Sequence, residues 1–355
     1  MAGMVIVNNP GDWAHVYPPL LHAQWNGWTP TDLIFPYFLF MVGITLTLSR
    51  TCGGSWARIF RRAALIIGLG LFLNGFPFFH LSTIRIPGVL QRIGVCYLVA
   101  AALFRATAQS GEGHERRRAA IVFGSAIALL IGYWVVMTQW PIDGRTGDLS
   151  PNGNVGAHID RALFGAHLWS SSKTWDPEGL LSTFPAIATT LLGILAGLWL
   201  RAPVGAGRKA LVMAAAGVGA IAVGLAWNPL FPINKNLWTS SYVVFTAGMA
   251  AVMLAACYAL IDVAGYRVWS WPFIVLGSNA IVLYVLSGLI AKSLIVMHVI
   301  NSDGTSTPLK TVIYDRYFAP IASPVSASLL FALTNLAVLF VILLWLYRRR
   351  WFLRV

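Results

Sequence analysis

Residues 325–347 read VSASLLFALTNLAVLFVILLWLY, twenty-three positions without a charge, and the next three are Arg348, Arg349 and Arg350. The hydrocarbon core of a bilayer is about 30 Å thick and takes roughly 20 apolar residues of helix, so this stretch predicts a transmembrane span. The arginines at its end predict a cytoplasmic C-terminus, because basic residues collect on that side. Upstream, eight further apolar runs have the same character: 33–49, 59–79, 86–104, 119–138, 180–200, 210–227, 240–261 and 271–297. Met1 to Asn9 is apolar but too short to cross, and has neither the charged start nor the cleavage site of a signal peptide. The expectation is an all-α polytopic transmembrane helix bundle of about nine complete spans plus a truncated first helix, of which 1–9 is the remnant, with 1–355 as one domain.

Composition agrees with a lipid solvent. The chain is 57% hydrophobic and 10% charged, with a mean hydropathy of +0.71; a soluble domain is about one quarter charged. Its 355 residues leave no room for a large soluble domain beside nine spans. A net charge of +13 would suggest nucleic acid in a soluble protein. Here the basic residues fall in short clusters between apolar runs, so they report topology and no nucleic-acid partner is expected. Sixteen of the 25 basic residues lie in alternate loops: Arg50, Arg58, Arg61 and Arg62; Arg105 and Arg116 to Arg118; Arg201, Arg208 and Lys209; Arg267; and Arg348 to Arg350 with Arg354.

The other loops hold nine of the twelve acidic residues: Asp12, Asp32, Asp143, Asp148, Asp160, Asp176, Glu178, Asp303 and Asp315. They include the long segments 10–31, 139–179 and 298–323, rich in Asn, Gly, Pro, Trp and His. Long loops are often functional, so chemistry is expected on the extracytoplasmic side. Cys52, Cys96 and Cys257 lack CxxC spacing and histidine partners, which makes them packing residues and leaves no metal site in view. The absence of internal repeats or paired interrupted helices counts against a transporter.

Polar residues near the spans supply the candidate chemistry. Thr29, Pro30, Thr31 and Asp32 form a ready helix start, with capping as their plain role. His22 has the side chain suited to proton transfer near neutrality; on residue type alone His15, His158 and His167 are equal to it. Arg85 sits at the mouth of a span and Arg92 about two turns inside it. A buried guanidinium needs a carboxylate such as Asp32, a polar cavity or an anionic ligand, phosphate above all. Asp176 and Glu178 at the start of another span suit a cationic amine or a helix cap. Lys235 and Asn236 lie in a donor-rich stretch, where the lysine suits phosphate or an interfacial anchor. Asn279 stands inside an apolar run and must find a hydrogen-bond partner.

Together these segments resemble a known family. HAQWNGWTPTDLIFPYFLFMVGITLTLS from His22, RIPGVLQRIGVCY from Arg85, DPEGLLST from Asp176, PINKNLWTSSYV from Pro232 and LGSNAIVLY from Leu276 are similar, in order and spacing, to the heparan-alpha-glucosaminide N-acetyltransferase family. The resemblance covers nearly the whole chain and implies a membrane acyltransferase that takes acetyl from acetyl-CoA and places it on an amino sugar across the bilayer. It implies that His22 is catalytic, that Asn8 at the end of the preceding helix assists it, and that Asp32 supports it. It further implies a homodimer, no metal, and a family pattern that begins upstream of Met1. With it, Arg85, Arg92, Lys235 and Asn236 become candidates for the CoA phosphates, Asn279 for the channel wall, and Trp25, Asn26, Asp176 and Glu178 for the acceptor. His22 could act as general base or as acetyl carrier, with Asn8 or Asn26 on the thioester oxygen. The rival readings are a transporter or flippase for an anionic or sugar ligand, and a membrane partner without ligand.

Overall fold

The computed structural model describes residues 1–48, 55–108, 113–300 and 304–353. Arg50, Cys52, Asp303 and Arg354, used above to read topology and cysteine chemistry, lie outside the described residues. The described chain forms helices α1 (Ala2–Asn8), α2 (Ile34–Leu48), α3 (Trp56–Gly75), α4 (Val89–Ala106), α5 (His114–Gln139), α6 (Val155–Phe164) and α7 (Leu180–Arg201). It continues with α8 (Ala206–Trp227), α9 (Ser240–Tyr258), α10 (Trp271–Ser278), α11 (Ala280–Val296), α12 (Leu309–Tyr317) and α13 (Pro324–Arg348). One antiparallel hairpin, β1 (His298–Ile300) with β2 (Ser306–Pro308), sets His298 opposite Pro308. Helices dominate because only they satisfy every backbone group within a single span.

Each of the nine apolar runs is helical over most of its described residues, but they are not equivalent. Among the described residues seven helices are long and apolar enough to cross a membrane, or eight if a bent pair counts as one. That pair is Val268–Ser278 with Ala280–Val296, meeting at 69°. The ninth, α3, carries Arg58, Arg61 and Arg62 in its first two turns. The short α1 buries Val5 against Val275, Leu276, Leu283, Leu339 and Leu343 of α10, α11 and α13.

At the bend, Asn279 finds its partners in the C-terminal tail. Its Nδ2 donates to the Trp351 carbonyl at 3.1 Å and its Oδ1 accepts from Leu353 N–H at 2.9 Å.

The centre of the bundle is α7, which packs against α2 and α5. Ala186, Ala188, Thr189, Thr190, Leu191 and Ile194 of α7 are fully or almost fully buried. Against α2 the contact is backbone to backbone. A Cβ at Gly43 would lie 2.0 Å from the Thr190 carbonyl oxygen, and one at Gly193 would lie 2.0 Å from that of Phe40. Small residues allow such approach where lipid offers no hydrophobic drive for association. By contrast α8, packed on α9, exposes Leu211, Val218, Val223 and Leu225, as a helix facing acyl chains should.

Segments 10–31, 139–179 and 228–239 converge at one end of the bundle. Trp25 Nε1 donates to the Leu149 carbonyl at 3.0 Å, its ring meets Trp175 edge-on at 5.1 Å, and Asn234 Nδ2 donates to Asn26 Oδ1 at 3.1 Å.

Candidate active site

At this loop end Asp32 is the organising residue. It lies in a tight turn, Pro30–Leu33, that leads into α2. Its Oδ2 accepts from Thr29 N–H at 2.9 Å while its own N–H donates to the Thr29 carbonyl at 3.0 Å, closing the cap expected from the sequence. Oδ2 also accepts from Ala23 N–H at 3.0 Å, and the Asp32 carbonyl accepts from Tyr242 O–H at 2.5 Å. The residue is 1% exposed.

The other oxygen, Oδ1, lies 2.6 Å from His22 Nδ1. A carboxylate can only accept, so Nδ1 carries the proton of that bond, and in the neutral ring the lone pair is on Nε2. The His22 side chain remains 48% exposed. One carboxylate thus starts a helix with one oxygen and fixes an imidazole with the other.

Lys235 completes the group. Its Nζ is 3.1 Å from His22 Nδ1, 3.2 Å from Nε2 and 3.8 Å from Asp32 Oδ1, with the side chain 17% exposed. The turn that delivers it is built on buried Asn234, whose Oδ1 accepts from Leu237 N–H at 2.9 Å and whose N–H donates to Thr239 Oγ1 at 3.1 Å. Desolvation pulls the pKa of Lys235 below the ordinary lysine value, and Asp32 opposes that pull. Asn236, the next residue but one from Asn234, is half-buried.

A second charged cluster lies at the same end. Arg85 grips Asp176 through two bonds, Nε to Oδ2 at 2.8 Å and Nη2 to Oδ1 at 2.5 Å, and reaches Glu178 Oε2 at 2.5 Å. Asp176 also accepts from Trp169 N–H at 3.1 Å and Glu178 N–H at 2.9 Å. Burial works against the Arg85 charge, but its two carboxylates outweigh it and hold the guanidinium pKa above its ordinary value. Beside them Asp160 Oδ1 accepts from Leu180 N–H at 2.9 Å, capping α7. Burial pushes the Asp160 carboxyl up to about 6, against that amide and with the help of the Asp176 charge.

Arg92, 2% exposed, donates through Nη2 to the Gly179 carbonyl at 3.2 Å and to Ser182 Oγ, with its guanidinium 5.0 Å from the Trp238 ring centre. Its Nε and Nη1 are buried without a hydrogen-bond partner. The pairing of Arg92 with Asp32, one of the alternatives open from the sequence, is not formed: the Asp32 oxygens belong to His22, Ala23 and Thr29, and Arg92 turns to the start of α7 instead.

The structure therefore brings together His22, Asp32 and Lys235 from the residues singled out in sequence, and separately Arg85, Asp176 and Glu178. Trp25 and Asn26 line the same end through Leu149, Trp175 and Asn234. Asn279 stands apart, beside Trp351. Asn8 is exposed, whereas its neighbour Asn9 is buried and donates to the Val5 carbonyl at 2.8 Å and Ser287 Oγ at 3.0 Å. Nothing in an Asn-Asn pair tells which member turns inward. Among the other histidines, His15 pairs with Asp12 at 2.6 Å and His167 Nδ1 meets the Ile84 carbonyl at 2.8 Å. Among the described residues no three His, Cys, Asp or Glu side chains group as a metal site.

A family model described as heparan-alpha-glucosaminide N-acetyltransferase, catalytic, matches residues 1–231. The heparan-alpha-glucosaminide N-acetyltransferases of Homo sapiens and Mus musculus are each 32% identical to the chain over 337 residues. The match covers 79% of the chain and 50% of either relative, so the chain spans about half the length of the curated relatives it matches. His22, Asp32, Arg85, Arg92, Asp176 and Glu178 fall within the matched 1–231 region; Lys235 follows it by four residues.

Proposed function

The chain belongs to the heparan-alpha-glucosaminide N-acetyltransferase family, and from that premise we propose that it is a multi-pass membrane enzyme that moves acetyl from acetyl-CoA to the amine of a glucosamine-type sugar. The observation that carries the reading is the imidazole of His22, fixed through Nδ1 by a buried carboxylate at 2.6 Å while the side chain stays half exposed. Nε2 is then the reactive atom. A positioned base of this kind contributes about 10² to 10⁴ in rate; attack by the same atom on the thioester would instead form an acetyl-imidazole. Asp32 is a positioning residue that sets the tautomer and the ring plane.

The acceptor lies against Trp25 and Asn26, beside the edge-on rings of Trp175 and Trp169, whose centroids are 5.8 Å apart. Aromatic faces suit the apolar side of a sugar ring. The arginine-bearing ends of the spans face the cytoplasm by the positive-inside rule, so the His22 end faces away from it and acetyl crosses the bilayer.

The test is transfer of radiolabelled acetyl from acetyl-CoA to glucosamine by purified protein, with His22→Ala as control. Label on the sugar, lost in the variant while membrane insertion is kept, supports the reading; wild-type turnover by His22→Ala rejects the role of His22. Acid-quenched protein that retains label identifies the acetyl-carrier route. Passage of unmodified sugar across proteoliposomes, without acetylation, would replace an enzyme by a transporter.

A further inference from the structure

The sequence suggests Lys235 as a phosphate ligand, but the structure puts its ammonium against the imidazole. Nζ is within 3.2 Å of both ring nitrogens of His22 and 3.8 Å from Asp32 Oδ1. The backbone turn behind it is fixed by Asn234, fully buried, and by Trp238, 1% exposed. A cation so placed has two effects on acyl-transfer chemistry. In the resting protein it sits beside the imidazole, nearly equidistant from both nitrogens and so off the axis of the Nε2 lone pair, and the flexible four-carbon stem lets it shift without moving the backbone. Once a thioester carbon stands against Nε2, its oxygen comes within reach of the same ammonium, because both lie next to one ring atom.

We propose that Lys235 is a catalytic residue for acetyl transfer, the cation that stabilises the oxyanion of the tetrahedral intermediate. The inference rests on the acetyltransfer reading above. The acceptor amine nitrogen, or Nε2 in the acetyl-carrier route, forms a bond to the thioester carbon. The carbonyl π pair moves to oxygen, where the Lys235 ammonium holds it. When the pair returns, the carbon–sulfur bond breaks and the thiolate leaves. It receives the proton that His22 took from the amine, or a proton from solvent in the acetyl-carrier route before acetyl passes to the amine. Fixed donors aimed at a developing oxyanion act at full strength in a water-poor site. Partial burial matters here, because it keeps the ammonium from being shielded by a full hydration shell. Arg85 is committed to Asp176 and Glu178 through Nε and Nη2. Another guanidinium, Arg92, is turned to Gly179 and Ser182.

The experiment compares Lys235→Met and Lys235→Arg with wild type and His22→Ala, each with two donors: acetyl-CoA and S-acetyl-N-acetylcysteamine, which carries the thioester and no phosphate. Loss of one oxyanion donor is expected to lower kcat about 10²- to 10³-fold. Lys235→Met should lose that factor with both donors, at nearly unchanged KM, and Lys235→Arg should recover part of it. A defect confined to acetyl-CoA and expressed in KM would make Lys235 a phosphate ligand and overturn the proposal. So would an unchanged kcat in Lys235→Met. Wild-type protein silent with both donors and every amino sugar tried would overturn the acetyltransfer reading itself, and the role of Lys235 with it. Thermal unfolding of each variant, matched to wild type, separates lost chemistry from lost fold.

Discussion

The two charged clusters at the loop end use the same parts, a buried aspartate held by backbone amides with cations beside it, and differ in what they leave over. Around Asp176 the charges answer one another: Arg85 meets the aspartate through two bonds and Glu178 through a third. Around Asp32 the closure is incomplete, because His22 uses one ring nitrogen on the carboxylate and keeps the other on a half-exposed ring. Mutual pairing is the mark of a structural brace, since removing one partner leaves the other's charge buried without compensation. Unused valence at a fixed position is the mark of a reacting centre. The donor-rich look of both segments in the sequence conceals this difference.

Substitution can break the comparison. The largest effect is expected from Asp32→Asn, which keeps the size of the side chain but no longer obliges Nδ1 to carry the proton. Transfer should fall by about 10² to 10⁴, measured as kcat with labelled acetyl-CoA. A variant as active as wild type would place Asp32 with the caps alone. Next comes Arg85→Met, which strands Asp176 and Glu178 without a counter-charge. It should lower stability by about 3 to 5 kcal/mol in detergent-solubilised unfolding, and Arg85→Met/Asp176→Asn/Glu178→Gln should recover most of it. If the single variant unfolds normally yet loses donor or acceptor affinity, the cluster is a binding site after all.

The smallest effect sharpens the picture and concerns Asp160. Its carboxyl is held up at about 6 in the fold, against about 3.9 in an unfolded chain. Between those values the folded protein binds more protons, so this residue's contribution to stability is complete below pH 4 and is lost as pH rises to about 6. A shift of that size is worth about 2 to 3 kcal/mol. Asp160→Asn can still accept from Leu180 N–H, so its unfolding midpoint should lack this decline; identical pH profiles for variant and wild type would contradict it.

Much of the fold was legible because its determinants are local. Nine apolar runs needed only length and composition, and the Thr29–Asp32 cap needed only four adjacent residues. His22 and Asp32, ten residues apart, belong to one loop, but only the family resemblance gave Asp32 a supporting role; read by themselves, the residues offered it as a cap or as a partner of Arg92. The pairing of Arg85 with Asp176 spans 91 positions, and that of Lys235 with His22 spans 213. No periodicity reports such distances, so Arg85 and Lys235 could be read as candidate phosphate ligands without their partners being known. The bend at Asn279 was hidden for another reason: an asparagine inside the run 271–297 announces a hydrogen-bond partner, but bonding between straight helices would meet that need as well as a turn of the axis does.

The close approach of α2 and α7 at Gly43 and Gly193 has a mechanical consequence. Side chains between helices act as a compliant lining that can shear by a rotamer; here two backbones touch and the joint has no play. The turn carrying Asp32 and the helix start carrying Ser182 are therefore mounted on one tightly joined pair of helices. Whatever travel is needed to admit a bulky donor and acceptor must be taken up by parts mounted outside that joint.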